Sequence, residues 1–279
     1  MPFNPTDGKT TSMRATVQIS SRDNPHLKDA RGIRDGKRRE KIFIEGMRLV
    51  EEAVRSGVTI EKLFLSNDGM SRVLSQWETT DLGEVYQLTD SVFQSISDTV
   101  TSQGIVALAA RPTDGQREVE KRLPIATVPL VAFLNQTNNP SNLGAVIRTA
   151  EAAGIAGVIV SKGSADAFSP KALRSAMGSS FRFPIWTDTD IGEALTWAAH
   201  NGLQTIATEI NAARSYADVD WKRPAMLLLG SEAHGLPESG LEGVDQRIMV
   251  PMEESVESLN LAVACGVILF EARRQNSQL

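Results

Sequence analysis

One cysteine, Cys265, stands in a chain of 279 residues. A lone thiol excludes an intrachain disulfide and any metal site built from several cysteines, and it fits a reducing cytoplasm. There are 3 histidines, and no His, Asp and Glu stand at metal-ligand spacing, so no metal is expected. No apolar run reaches the roughly 18 residues of a membrane span, so no membrane partner is expected either. The polar start of the chain lacks the apolar segment of a secretory signal and is expected to be a disordered tail over 1–13. A global excess of positive charge is missing too. The 29 Lys/Arg face 34 Asp/Glu, for a net charge of −5 and a pI near 5.4, so the chain as a whole has no basic footprint for nucleic acid.

The charge that is present is uneven. Residues 1–112 hold 15 basic and 15 acidic side chains, whereas 113–279 hold 14 and 19. Within 19–41, eight basic residues stand among Asp23, Asp29, Asp35 and Glu40. Two readings are open there. One is a solvated helix ended by a turn at Asp35-Gly36. The other is a phosphate-contacting face, with Arg34, Lys37, Arg38 and Arg39 as nucleic-acid-binding residues, because clustered Lys and Arg release counterions on binding a nucleic-acid backbone. Beyond it, strands at 41–46, 60–66, 83–88 and 103–109 alternate with helices at 47–56, 70–77 and 91–97. This predicts an α/β domain over 14–112. The charged stretch 113–124 between two prolines reads as a linker, partly helical.

A second α/β pattern fills 125–279. Strands are predicted at 128–135, 157–160, 183–186, 203–208, 225–229 and 248–250, with helices at 143–153, 169–177 and 191–201. The sheet should be mostly parallel with helices on both faces. Ligands of such sheets bind beyond the carboxyl ends of the strands, and the polar turns after Leu134, Leu229 and Val250 all lie there. A last helix, 261–272, is apolar nearly all round and is expected to be buried. Ser258 and Asn260 stand at its start as capping residues, where free N–H groups and positive potential await a ligand.

Three of these stretches form one ordered set: Asn142-Leu-Gly144-Ala-Val-Ile-Arg148-Thr-Ala150, then Gly230-Ser-Glu232-Ala-His-Gly235, then Val250-Pro251-Met252 followed by Ser258-Leu259-Asn260. In order and separation they resemble the motifs of the SpoU (TrmH-like) branch of the SPOUT methyltransferases, which methylate ribose 2′-hydroxyls of RNA with S-adenosylmethionine. Residues 14–112 resemble that family's N-terminal RNA-binding domain, similar to certain ribosomal proteins, through Phe43-Ile-Glu45-Gly46, Leu88-Thr89 and Thr101-Ser-Gln103-Gly104-Ile105. The resemblance implies a deep trefoil knot in the C-terminal domain and a homodimer formed through it. It places S-adenosylmethionine against Gly230, Val250 and Leu259. It makes Arg148 the residue acting at the hydroxyl, Asn142 a substrate-positioning group, and Glu232 an orienting partner for Arg148 or the loop. Ser258 and Asn260 would hold the substrate ribose and the turn. Arginine stays protonated at ordinary pH, so phosphate contact is the role its chemistry favours for Arg148. Ribosomal RNA, in particular 23S, is the expected substrate. Transfer RNA, or a non-catalytic RNA-binding protein on the same fold, are the other readings.

Overall fold

The computed structural model describes residues 16–76, 82–231 and 234–277. The expected tail and Glu232 lie outside them. The chain divides into two compact units between Arg111 and Pro112.

The first unit is built on a five-stranded sheet. Its strands are β1 (Val17–Ile19), β2 (Lys41–Glu45), β3 (Ile60–Leu65), β4 (Glu84–Leu88) and β5 (Ile105–Ala110), in the order β1-β4-β3-β5-β2. The neighbours β1, β4 and β3 run parallel, and β5 runs antiparallel to β3 and β2. One face collects Phe43, Phe64, Tyr86 and Leu88 under Leu27, Ala30 and Ile33 of α1 (Pro25–Arg34) and Val92 and Phe93 of α4 (Asp90–Phe93). Side chains alternate across a strand, so Ile42 and Ile44, also buried, face the other way. Helices α2 (Met47–Arg55) and α3 (Asn67–Gln76) complete the unit. β1 is not expected from the sequence, since three residues are too few to show a period.

The second unit is a seven-stranded sheet with all neighbours parallel: β6 (Leu130–Leu134), β7 (Gly157–Ser161), β8 (Ile185–Thr189), β9 (Gln204–Thr208), β10 (Arg214–Ser215), β11 (Ala225–Leu229) and β12 (Gln246–Met249). The order is β10-β12-β9-β11-β6-β7-β8. β11 therefore inserts between β6 and β9, two strands made before it. All residues of β6 and β11 are buried, the mark of strands covered on both faces. On one face lie Val119 of α5 (Gln116–Arg122) and Trp197 of α8 (Ile191–His200), against Val131, Phe133, Met226 and Leu228. The stretch read as a linker thus contains a helix whose Val119 is fully buried in this unit.

Helices α6 (Pro140–Ala153), α7 (Pro170–Ala176) and α10 (Leu261–Asn276) form a packed group, with α6 against both others. α6 starts on an Asn139 cap and Pro140 and stops at Gly154, whose φ of 76° suits glycine. At Gly144 an added Cβ would lie 2.3 Å from the Ala172 carbonyl oxygen, so α6 and α7 touch where only glycine fits. Arg273 of α10 donates to the Ala152 and Ala153 carbonyls and so closes the far end of α6. α9 (Glu238–Leu241) is a single turn. Two expectations change. α10 runs past 272, because Gln275 and Asn276 donate to the carbonyls of Val219 and Trp221 and hold the extra turn down. Nor is it buried all round: Val263 and Phe270 are about half exposed within the chain.

Candidate active site

A cavity of about 720 Å³ opens at the carboxyl ends of β9, β11 and β12. Four stretches wall it: 208–211 from the end of β9, 229–231 with 234–236 around the turn after β11, 248–250 with 252 at the end of β12, and 257–261 leading into α10. Gly230, Val250 and Leu259, the residues expected to hold a cofactor, all line it, as do Ser258 and Asn260. The turn after β6 does not. Asn142, in the first turn of α6, is joined to the wall by a hydrogen bond from Asn260 Nδ2 to its Oδ1 at 3.2 Å. Asn260 also caps α10, its Oδ1 accepting from the backbone N–H of Ala262 at 2.9 Å and Val263 at 3.3 Å. A single side chain thus serves the helix start and the link to α6.

Gly230 has a steric reason for being glycine. A Cβ there would lie 2.2 Å from the Gly235 carbonyl carbon and 2.4 Å from the Leu236 nitrogen. Ser231 and Gly235 exchange both backbone hydrogen bonds at 3.0 Å. The close approach is therefore of the loop to itself, and the folded-back loop forms part of the cavity wall. Leu229, Ile248, Leu259 and Leu261 give an apolar lining, and the described ionisable residues of the wall are Glu209, Glu257 and His234.

Arg148 lies outside this lining. It is exposed on α6 and makes no hydrogen bond or ion pair among the described residues. Glu151, the acidic residue nearest to it along the helix, instead takes both ends of the Arg182 guanidinium, at 2.6 and 3.1 Å.

In the first unit the basic cluster splits by geometry. Arg34 Nη1 donates to the carbonyls of Ile96 and Ser97, both at 3.2 Å, and its Nε pairs with Asp35 at 2.9 Å. Arg38 lies 2.7 Å from Asp29 yet keeps 54% of its side chain exposed. Lys37 and Arg39 are exposed without a partner among the described residues. The loop that Arg34 grips is held from inside as well. The buried Glu45 carboxylate accepts from Ser97 Oγ at 2.5 Å, Asp98 N at 2.8 Å, Thr99 Oγ1 at 2.8 Å and Ser102 Oγ at 2.9 Å. Charge counting alone groups Arg34 with its basic neighbours. Its acceptors are carbonyls more than 60 residues away, to which no sequence pattern points.

The model of the SpoU rRNA Methylase family matches residues 129–270, about half of the chain. The chain belongs to this family. Ahead of it, the model of the MRM3-like substrate binding domain matches residues 24–107. The 23S rRNA (guanosine(2553)-2′-O)-methyltransferase RlmP of Bacillus subtilis is 31% identical over 92% of this chain and 99% of its own length. The 23S rRNA (uridine(2479)-2′-O)-methyltransferase of Streptomyces viridochromogenes is 29% identical over 84% of this chain and 83% of its own. Among solved structures, the AdoMet-bound rRNA methyltransferase from Sinorhizobium meliloti superposes with a TM-score of 0.80 at 30% identity, covering 93% of this chain and 98% of that one. The SpoU cavity here suits such a cofactor on its own terms. Small-molecule pockets run from about 300 to 1,000 Å³ and join an apolar wall to a few placed polar groups, as this one does.

Proposed function

We propose that the protein methylates a ribose 2′-hydroxyl of ribosomal RNA, most specifically of 23S rRNA, with S-adenosylmethionine as donor. The observation that carries this is the convergence of the second and third motifs on one cavity, to which Asn142 of the first is hydrogen-bonded. Bound there, the cofactor supplies an already activated methyl on a sulfonium. The chain's own work is then positioning. Leu259 and Val250 hold the adenine against an apolar wall, and the turn built on Gly230 closes beside it. Arg148 binds the RNA phosphate and steadies the attacking hydroxyl, with Glu232 orienting it. Asn142, Ser258 and Asn260 fix the ribose. Holding two reactants in line replaces an encounter in solution and supplies much of the acceleration.

Two copies pair through α6 and α10. This pairing covers the exposed halves of Val263 and Phe270, which adds about half of the roughly 1.5–3 kcal/mol that full burial of each such side chain contributes. It also brings Arg148 to a cavity that it does not line in its own chain. The insertion of β11 between earlier strands fits a knotted path for the segment after it. Lys37, Arg38 and Arg39 face RNA phosphates in the first unit, and Arg34 supports them by holding the loop at 96–97. The protein works in the cytoplasm, and no described helix is long and apolar enough to cross a membrane.

Mapping of 2′-O-methyls on RNA from cells with and without the protein tests the function. One ribosomal position should lose its methyl. Loss confined to transfer RNA would move the substrate, and no loss together with no binding of S-adenosylhomocysteine would leave a non-catalytic RNA binder. Sedimentation tests the pairing, since a fully active species near 30 kDa would remove it.

A further inference from the structure

We infer that Glu209 is the group that recognises the cofactor's ribose, accepting hydrogen bonds from its 2′- and 3′-hydroxyls. The inference rests on the cofactor reading above and deepens it. Glu209 follows the last residue of β9, which lies between β12 and β11 in the sheet. It stands in the cavity wall between the strands that end in the apolar residues Met249 and Leu229. Its main chain is fixed on both sides: its N–H donates to the Ile248 carbonyl at 2.9 Å, and its carbonyl accepts from Ala212 N–H at 3.3 Å.

The carboxylate is held but not consumed. Arg247 donates to the Leu241 carbonyl at 3.1 Å, and its Nη1 lies 3.6 Å from Glu209 Oε2, too long for a hydrogen bond. Among the described residues the Glu209 carboxylate takes no hydrogen bond at all. Glu209 lines the cavity, and a carboxylate whose oxygens take no hydrogen bond within the protein is what a vicinal diol needs, since an ionised carboxylate only accepts and two neighbouring hydroxyls both donate. Parallel sheets bind nucleosides in this way elsewhere, with an acidic side chain at a strand's carboxyl end taking the ribose hydroxyl. Glu257, the other wall carboxylate, sits on an exposed turn.

Calorimetry on the full chain, as wild type and as Glu209→Gln, tests this with three ligands. These are S-adenosylhomocysteine, 5′-methylthioadenosine, and the 2′,3′-dideoxy analogue of the latter. The expected result is a fall in affinity of about ten-fold or more for the first two, and no change for the dideoxy analogue. An equal loss on all three would make Glu209 a merely structural residue and overturn the inference. A loss on S-adenosylhomocysteine alone would assign it to the amino-acid tail and overturn it as well. Glu209→Asp, which keeps the charge but shortens the reach, should show the same ligand pattern; wild-type affinity for all three ligands would count against the inference. If wild type bound none of them, the cofactor reading itself would fall.

Discussion

Replacing Asn260 by alanine removes two things that replacing Asn142 does not remove together. Asn260→Ala loses the α10 cap and the bond to Asn142, whereas Asn142→Ala loses that bond and leaves the cap. A lost Asn cap costs about 1 kcal/mol. The Asn260–Asn142 bond is exposed, which puts it near the low end of a neutral hydrogen bond, at about 0.5 kcal/mol. Asn260→Ala should therefore destabilise the second unit by about 1.5 kcal/mol and lower Tm by about 3–6 °C, given about 2–4 °C per kcal/mol at this size. From this bond Asn142→Ala should lose about a third as much. The double variant should fall short of the sum of the singles by about 0.5 kcal/mol, because both singles remove the same bond. Urea midpoints on the four proteins at one protein concentration measure all of this. Wild-type stability in Asn260→Ala would refute the cap, and strict additivity would refute the link.

Three further expectations follow from the same structure. Arg148→Ala should abolish methylation while S-adenosylhomocysteine binds as before. Co-refolded one-to-one with a cofactor-dead Gly230→Val chain, it should regain about a quarter of wild-type activity, since a two-fold pair then holds one complete site in the mixed dimer; no recovery would keep each site within its own chain. Exchanging Lys37, Arg38 and Arg39 for alanine should flatten the salt dependence of RNA binding by about 0.7–0.9 log units for every phosphate no longer neutralised; Arg34→Ala should instead lower stability with little change in slope, and an unchanged slope in the triple variant would make the cluster a solvated face. Burial pushes the Cys265 thiol from its ordinary 9.0 up to about 12. That raised value favours the neutral folded thiol, so its contribution is whole below pH 9.0 and is lost as pH rises toward about 12. Native protein should resist iodoacetamide at pH 9.0, where a thiol of ordinary pKa is half ionised, and unfolded protein should label; rapid native labelling would contradict the burial.

Some of this architecture was legible from residues alone, for reasons that can be named. Leu130–Leu134 and Ala225–Leu229 are unbroken apolar runs, and such runs in an alternating pattern have few places to go except the middle of a parallel sheet. Arg214–Ser215 joins the same sheet with two polar residues, and its place depends on Ile248 and Met249 alongside, which no local pattern encodes. The motif residues announced a site at the strand ends and the cavity lies there, but its fourth wall, 208–211, carries no motif. Glu209 was invisible because an acidic residue after a strand is ordinary until the cavity beside it is known. Arg34 and Glu45 show the same limit: their chemistry is plain in the sequence, yet what they hold is the loop around 96–102, brought near only by the fold.

The place of β11 between β6 and β9 bears on how the chain can be made. During synthesis, β6, β7 and β8 emerge first and lie side by side in that order, so three of the seven strands can assemble while later residues are still within the ribosome. β9 emerges next and has no partner in that half. It must wait for β11, which alone bridges it to β6, and β12 joins the sheet through β9, with β10 on its outer edge. All three strands whose ends surround the cavity belong to this waiting group. A nascent or truncated chain ending before 225 would thus hold three paired strands and no cofactor cavity, with β9 left as an unpaired strand for chaperones or proteases to find. The binding site is the last part of the molecule to come into existence, so possession of it certifies that the whole chain has been completed.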